Sequence, residues 1–155
     1  MTPRVRAMLP SDIDNVYIIE SLAHRSPWGR EILHDCVRVG YDCRVLERLE
    51  DSLVTDMAGY VISRRYDKTC HILNLCVIPL LQGKGYGRFL LQEVIDSLNP
   101  VVTDTITLEV RPSNHAALHL YQTMGFEQVG VKRGYYRDGP AIEDGVVFQK
   151  RLSIM

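Results

Sequence analysis

The stretch LQGKGYGRFLLQEVID, residues 81–96, sets Gly83, Gly85 and Gly87 directly before an amphipathic run. In that run and just beyond it, Leu90, Leu91, Val94, Ile95 and Leu98 fall on one helical face. Glycine inside a helix or strand costs stability, so such a cluster marks a special backbone task. The segment before it, TCHILNLCVI, is rich in β-favouring residues. A strand, a glycine turn and a helix, with a further strand in TDTITLEVR, point to a βαβ crossover. Backbone N–H groups at a helix start carry partial positive charge and suit phosphate. Neither the Walker pattern nor G-x-G-x-x-G is present. What is present is Gln82-x-x-Gly85-x-Gly87-Arg88, with Lys84 and Arg88 adding charge. The loop reads either as an anion cradle or as a plain tight turn.

The rest of the chain fits around this unit. TPRVRAML alternates as a first strand, and residues 11–24 carry apolar positions at helical spacing. RSPWGREILHDC restarts a helix, with Ser26 as its expected cap and Pro27 as its first residue. YDCRVLERL, DMAGYVISRRY and TCHILNLCVI read as a meander of strands. Asn99-Pro100 should stop the helix after the glycines. PSNHAALHLYQTMGF is a short helix, capped by Ser113 or Asn114 and stopped by Gly125. FEQVGVKRGYY and EDGVVFQKRL complete the order βααβββαβαββ. The expected fold class is α/β, or α+β with a mixed sheet, in one domain over residues 1–155.

A net charge of −1 gives no sign of bulk nucleic-acid binding, and no apolar run approaches the ~20 residues of a membrane span. Cys36, Cys43, Cys70 and Cys76 form no C-x-x-C pair and the N-terminus has no secretory pattern, so reduced thiols in the cytoplasm are expected. His115 and His119 have metal-ligand spacing but lack a third ligand, and no metal is expected.

NLCVIPLLQGKGYGRFLL resembles the acetyl-CoA signature of the GNAT N-acetyltransferases, and the element order is also that family's. The resemblance implies acetyl-CoA as cosubstrate. It implies that Gly83, Lys84, Gly85, Tyr86, Gly87 and Arg88 hold its pyrophosphate. It also implies that Leu75, Cys76 and Val77 pair with pantetheine like an added strand. The chain departs from the pattern at Leu81, where relatives often carry an aromatic residue.

SPW, LEVRPSNHAALHLYQTMGF and RGYYRDG followed by ED resemble the RimI-type ribosomal-protein alanine N-terminal acetyltransferases. That narrower resemblance implies Glu109 as general base, Tyr121 as general acid and Asn114 as a CoA contact. It implies an acceptor wall at Tyr135 and Tyr136, with Trp28 opposite, and Gly145 stands where the family usually has alanine. The implied acceptor is a protein N-terminus, that of a small-subunit ribosomal protein, with no direct nucleic-acid or membrane partner and a monomer or weak dimer as the acting species. Taken alone, Glu109 reads as a solvated strand residue and Tyr121 as a packed ring.

The chemistry is coherent. An α-amine has a pKa of ~8 and a lysine ~10.4, so at neutral pH a tenth or so of the α-amine is already neutral. A modest base suffices, acting directly or through water, particularly if burial raises the Glu109 pKa. A phenol with pKa ~10 stays protonated and can donate to a departing thiolate. Backbone N–H at Cys76 or Val77 is the expected oxyanion donor, in direct transfer within a ternary complex. A buried, inert Cys76 is expected rather than an acyl-cysteine route. Two other functions stay open: acetylation of lysine side chains or polyamines, and a non-catalytic acetyl-CoA-binding module.

Overall fold

A computed structural model of the chain describes residues 1–153. Its elements are β1 (Thr2–Ala7), α1 (Ile13–Ala23), α2 (Arg30–Arg38), β2 (Asp42–Glu50), β3 (Leu53–Tyr66) and β4 (Thr69–Val77). They continue as α3 (Tyr86–Asp96), β5 (Thr105–Val110), α4 (His115–Thr123), β6 (Glu127–Asp138) and β7 (Ala141–Arg151). Short 3-10 turns stand at Pro10–Asp12 and Pro79–Leu81. This is the order read from the sequence. The strands form a mixed sheet, β1-β2-β3-β4-β5-β7-β6. β4 and β5 run parallel, as a crossover through α3 requires, while β1–β2, β2–β3, β5–β7 and β6–β7 are antiparallel. The residues group into two compact units: Met1–Ser63 with Asn74–Ser97, and Arg64–Leu73 with the described residues from Leu98 onward.

In the first unit, α3 buries Leu90, Leu91 and Val94, the stripe expected from its period. Each such side chain stabilises the fold by ~1.5–3 kcal/mol when fully removed from water. The helix ends at Asp96, ahead of Asn99-Pro100, where Ser97 Oγ donates to Val94 O at 2.7 Å. Val45, Leu46, Tyr60, Val61 and Ile62 on β2 and β3 are fully buried. Gly59 lets the backbone of β4 come close: a Cβ there would stand 2.4 Å from Cys76 O and 3.2 Å from Val77 Cα.

The start of α2 corrects the sequence reading. The helix begins at Arg30 with Gly29 as its cap, and Ser26 and Pro27 lie outside it. The physical reason is tertiary: the Trp28 N–H donates to Glu20 Oε2 at 2.9 Å, so it is held by a distant carboxylate and not by a cap at Ser26.

In the second unit β5 is a central strand. Thr105, Ile106, Thr107, Leu108 and Val110 are all buried, so its alternation does not mark a solvent face. The α4 cap is Asn114, whose Oδ1 accepts from Ala117 N at 3.1 Å. Its C-terminus closes in a Schellman arrangement: Phe126 N donates to Tyr121 O at 3.0 Å and Gly125 N to Gln122 O at 3.1 Å. Gly125 supplies the left-handed φ of 88°, and the Tyr121 and Phe126 rings meet at 5.7 Å as the accompanying apolar contact.

Candidate active site

The glycine loop connects β4 to α3 in the first unit. Gly83 and Gly85 adopt left-handed φ of 78° and 88°, and a Cβ at either would meet nothing within 4 Å. Backbone conformation, not packing, therefore requires glycine at both. Gly87 lies in the first turn of α3. That turn contains no acidic residue and its cap makes no side-chain hydrogen bond. Lys84 and Arg88 are exposed.

Two side chains brace the loop from behind. Gln82 Nε2 donates to Val77 O at 3.0 Å, tying the loop to the end of β4. Tyr86 is engaged by the Arg48 guanidinium, which also pairs with Asp56 at 2.7 Å. Leu75, Cys76 and Val77 form the last extended residues of β4, beyond the Thr69–Ile72 stretch that pairs with β5. The Cys76 thiol is buried and pushed up to about 12 by burial, which leaves it a core thiol. All four cysteines are free and buried.

The first unit also holds a group without a local sequence signal. Glu20 on α1 is 1% exposed. Its Oε1 accepts from Asn74 Nδ2 at 2.8 Å and from the Tyr60 hydroxyl, and its Oε2 accepts from Trp28 N. His24 Nε2 stands 3.3 Å from Oε1 without hydrogen-bond alignment. One carboxylate thus fixes the Trp28 backbone, β3 at Tyr60 and β4 at Asn74, next to Leu75.

The second unit carries Glu109, Asn114, Tyr121, Tyr135 and Tyr136. The Glu109 side chain is only 7% exposed, which excludes the solvated-face reading. His71 Nε2 lies 2.8 Å from its Oε2, and Lys132 Nζ donates to its Oε1 at 2.7 Å. Neither partner is adjacent in sequence, and nothing local marks them. Tyr121 is 7% exposed and its ring packs against Phe126 and Phe148. Arg111 binds Asp138 through both Nη atoms at 2.8 and 3.0 Å, reaches Glu143 at 3.3 Å and lies over the Tyr136 ring at 4.3 Å. Ser113 N and Oγ donate to Glu143 at 2.8 and 2.9 Å. The β6–β7 hairpin is therefore tied to the end of β5. Tyr135 is 47% exposed and stands edge-on to Tyr136, with ring centres 5.0 Å apart.

The profile of the Acetyltransferase (GNAT) family matches residues 13–126, from the start of α1 to the residue before β6. The chain belongs to the GNAT acetyltransferase family. It is 31% identical over 146 residues to the ribosomal protein bS18-alanine N-acetyltransferase of Salmonella typhimurium LT2, covering 93% of this chain and 94% of that one. The Escherichia coli protein of the same name is 29% identical over 153 residues, covering 97% and 98%. The crystal structure of the ribosomal-protein-S18-alanine N-acetyltransferase from Escherichia coli superposes with a TM-score of 0.85 at 28% identity, covering 99% and 96%. Arabidopsis thaliana NAA60 in complex with acetyl-CoA shares the fold, with a TM-score of 0.84 at 21% identity over 97% and 99%.

A carboxyl raised by burial would make the stronger base, but Glu109 is not raised. Burial does push it up, but the hydrogen bonds and charges of His71 and Lys132 outweigh it and hold the carboxyl below its ordinary value. Glu109 is thus an ionised, doubly held carboxylate. The GNAT match takes in Glu109, Asn114 and Tyr121 but ends before Lys132, Tyr135 and Tyr136.

Proposed function

We propose that this chain transfers acetyl from acetyl-CoA to the N-terminal α-amine of a protein, the acceptor being an alanine-led ribosomal protein. The observation that carries the reading is Glu109: a shielded carboxylate on a central strand, kept ionised and therefore able to receive a proton at neutral pH. The acceptor class is supported by relatives at 29–31% identity across nearly the whole chain that are named for bS18 alanine acetylation.

The residues fit the donor. Left-handed Gly83 and Gly85, with the opening N–H groups of α3, make a cradle for the pyrophosphate, and exposed Lys84 and Arg88 add positive charge. Leu75, Cys76 and Val77 offer strand-type backbone groups to pantetheine, and an N–H at Cys76 or Val77 supports the oxyanion. Asn114 contributes through its amide NH2, because its Oδ1 caps α4.

In this reading the acceptor α-ammonium gives its proton to Glu109, directly or through a water. The neutral amine attacks the thioester carbonyl in a ternary complex, the Tyr121 hydroxyl donates to the departing thiolate, and the second proton shed by the nitrogen restores the Tyr121 phenol through solvent. In the same reading Tyr135 and Tyr136 wall the acceptor.

Glu109→Gln and Tyr121→Phe test these roles. Each should lower kcat by ~10²–10⁴-fold, the usual worth of a positioned acid or base, while acetyl-CoA binding by calorimetry stays near the parent value. Near-parent turnover in both variants would refute the assignment.

A further inference from the structure

One partner of Glu109 has no part in the proposed reaction. His71 Nε2 lies 2.8 Å from Glu109 Oε2, and its side chain is 14% exposed. The β4–β5 ladder delivers it: His71 stands opposite Thr107 in the parallel register, two residues before Glu109. Alternation puts Thr107 and Glu109 on the same face of β5, so the imidazole reaches along the sheet to the carboxyl.

The direction of that contact follows from charge. Glu109 is ionised, and an ionised carboxylate only accepts hydrogen bonds. The proton between the two groups is therefore on Nε2, which leaves Nδ1 as the atom that gains or loses a proton. Lys132 of β6 donates to the other oxygen, Oε1, at 2.7 Å. Two donors from two different strands thus fix the plane of the carboxylate. Each oxygen keeps a second acceptor position, so a third donor can still be received.

The surroundings point to His71 as the group that changes charge. Tyr66 of β3 stands edge-on to its ring at 6.3 Å, and Arg64 of the same strand lies 4.9 Å over the Tyr66 ring. Tyr135 and Tyr136 of β6 lie about the Glu109–Lys132 pair, and Arg111 of β5 and Glu143 of β7, paired with each other, act on Tyr136. Phenols, ammonium and guanidinium groups and ionised carboxylates keep one charge across neutral pH, whereas an imidazole changes its charge between about pH 5 and 8.

Resting on the reading of Glu109 as the proton acceptor, we propose that His71 is the positioning residue of that base: neutral, its Nε2–H aims the carboxylate; charged, it sets a second cation against the carboxylate and weakens it as a proton acceptor. A neighbouring cation stabilises the ionised form, which then takes up a proton less readily. Glu109 stays ionised through the neutral range, yet it loses power as a base when His71 gains its charge. Turnover therefore falls on the acid side with the imidazole and not with the carboxyl.

The test follows kcat against pH at saturating alanine-led peptide, which removes the ionisation of the free acceptor from the profile. In the parent, kcat should fall ~3–10-fold in one step whose midpoint lies between about pH 5 and 8. His71→Gln keeps an N–H donor but does not titrate, so that step should vanish. His71→Leu loses the donor as well; its kcat at pH 8 should drop ~10-fold, and His71→Gln should recover part of that loss. The KM for acetyl-CoA should stay near the parent value in both variants, which separates this role from a general loss of structure. A parent profile that is flat through this range, or an acid step that persists in His71→Gln, overturns the inference. If the parent turns over no acceptor, the proposed function fails separately. Carbon-detected NMR of the Glu109 carboxyl then decides: a second step in the imidazole range, absent from His71→Gln, supports the inference, and a single step in the parent overturns it.

Discussion

Replacing Glu20 by alanine removes the acceptor for three donors at once: the Tyr60 hydroxyl, the Asn74 amide and the Trp28 N–H. Glu20 is 1% exposed and Tyr60 and Asn74 are buried too, so these groups cannot simply turn to bulk water. Each orphaned donor costs ~1–3 kcal/mol. Water entering the vacated polar space offsets part of that. A net loss of ~3–5 kcal/mol follows, the range for breaking a buried charged cluster. Domains of this kind are stable by ~5–15 kcal/mol, so the variant should fold but only marginally. With a urea slope of ~1–3 kcal/mol per molar, the unfolding midpoint should fall by ~2 M at unchanged slope. The melting temperature should drop by ~8–16 °C. Glu20→Gln keeps the shape but turns an NH2 group toward donors, so it should lose a smaller amount of the same sign. A Glu20→Ala stability within ~0.5 kcal/mol of the parent, the range of a surface substitution, would refute the view that this carboxylate holds the α1–α2 connection and β4.

Two further outcomes follow from the geometry. Gly59→Ala places a Cβ 2.4 Å from a backbone carbonyl, so the strand rather than a side-chain tip must shift; a loss of ~1–3 kcal/mol in urea unfolding is expected, with weaker acetyl-CoA binding if Leu75–Val77 receives pantetheine. Acid should destabilise the fold partly through Glu109: a carboxyl held below its ordinary 4.5 contributes stability that is present above that value and is lost as pH falls through its folded value. Asp12, Glu47 and Asp56, also lowered by arginine partners, act with the same sign, so Glu109→Gln should reduce the acid slope of the urea midpoint without abolishing it.

Features set by neighbours along the chain were legible from sequence. The α3 stripe, the left-handed glycines ahead of it and the Gly125 stop depend on spacing within a few residues, and all stand where the pattern puts them. The burial of Glu109 removed the solvated-face alternative that its strand position left open, while the Tyr121 ring is packed, as its alternative reading had it. What failed depends on partners far along the chain. The α2 start moved because Glu20, eight residues before Trp28, takes its N–H. Burial alone would raise Glu109, but His71, 38 residues before it, and Lys132, 23 after it, hold it low, and no spacing announces either partner. Gln82 belongs to the recognised loop motif, yet its side chain turns back onto Val77 O, a contact that no spacing announces.

The account is tested most directly by following free thiol release from acetyl-CoA with three acceptors: a peptide with a free N-terminal alanine, the same peptide N-blocked but carrying a lysine side chain, and spermine. The account predicts rapid release with the first and background rates with the other two. Acetylation of only the lysine peptide or spermine would contradict N-terminal specificity and leave the chain a GNAT acetyltransferase with a different acceptor.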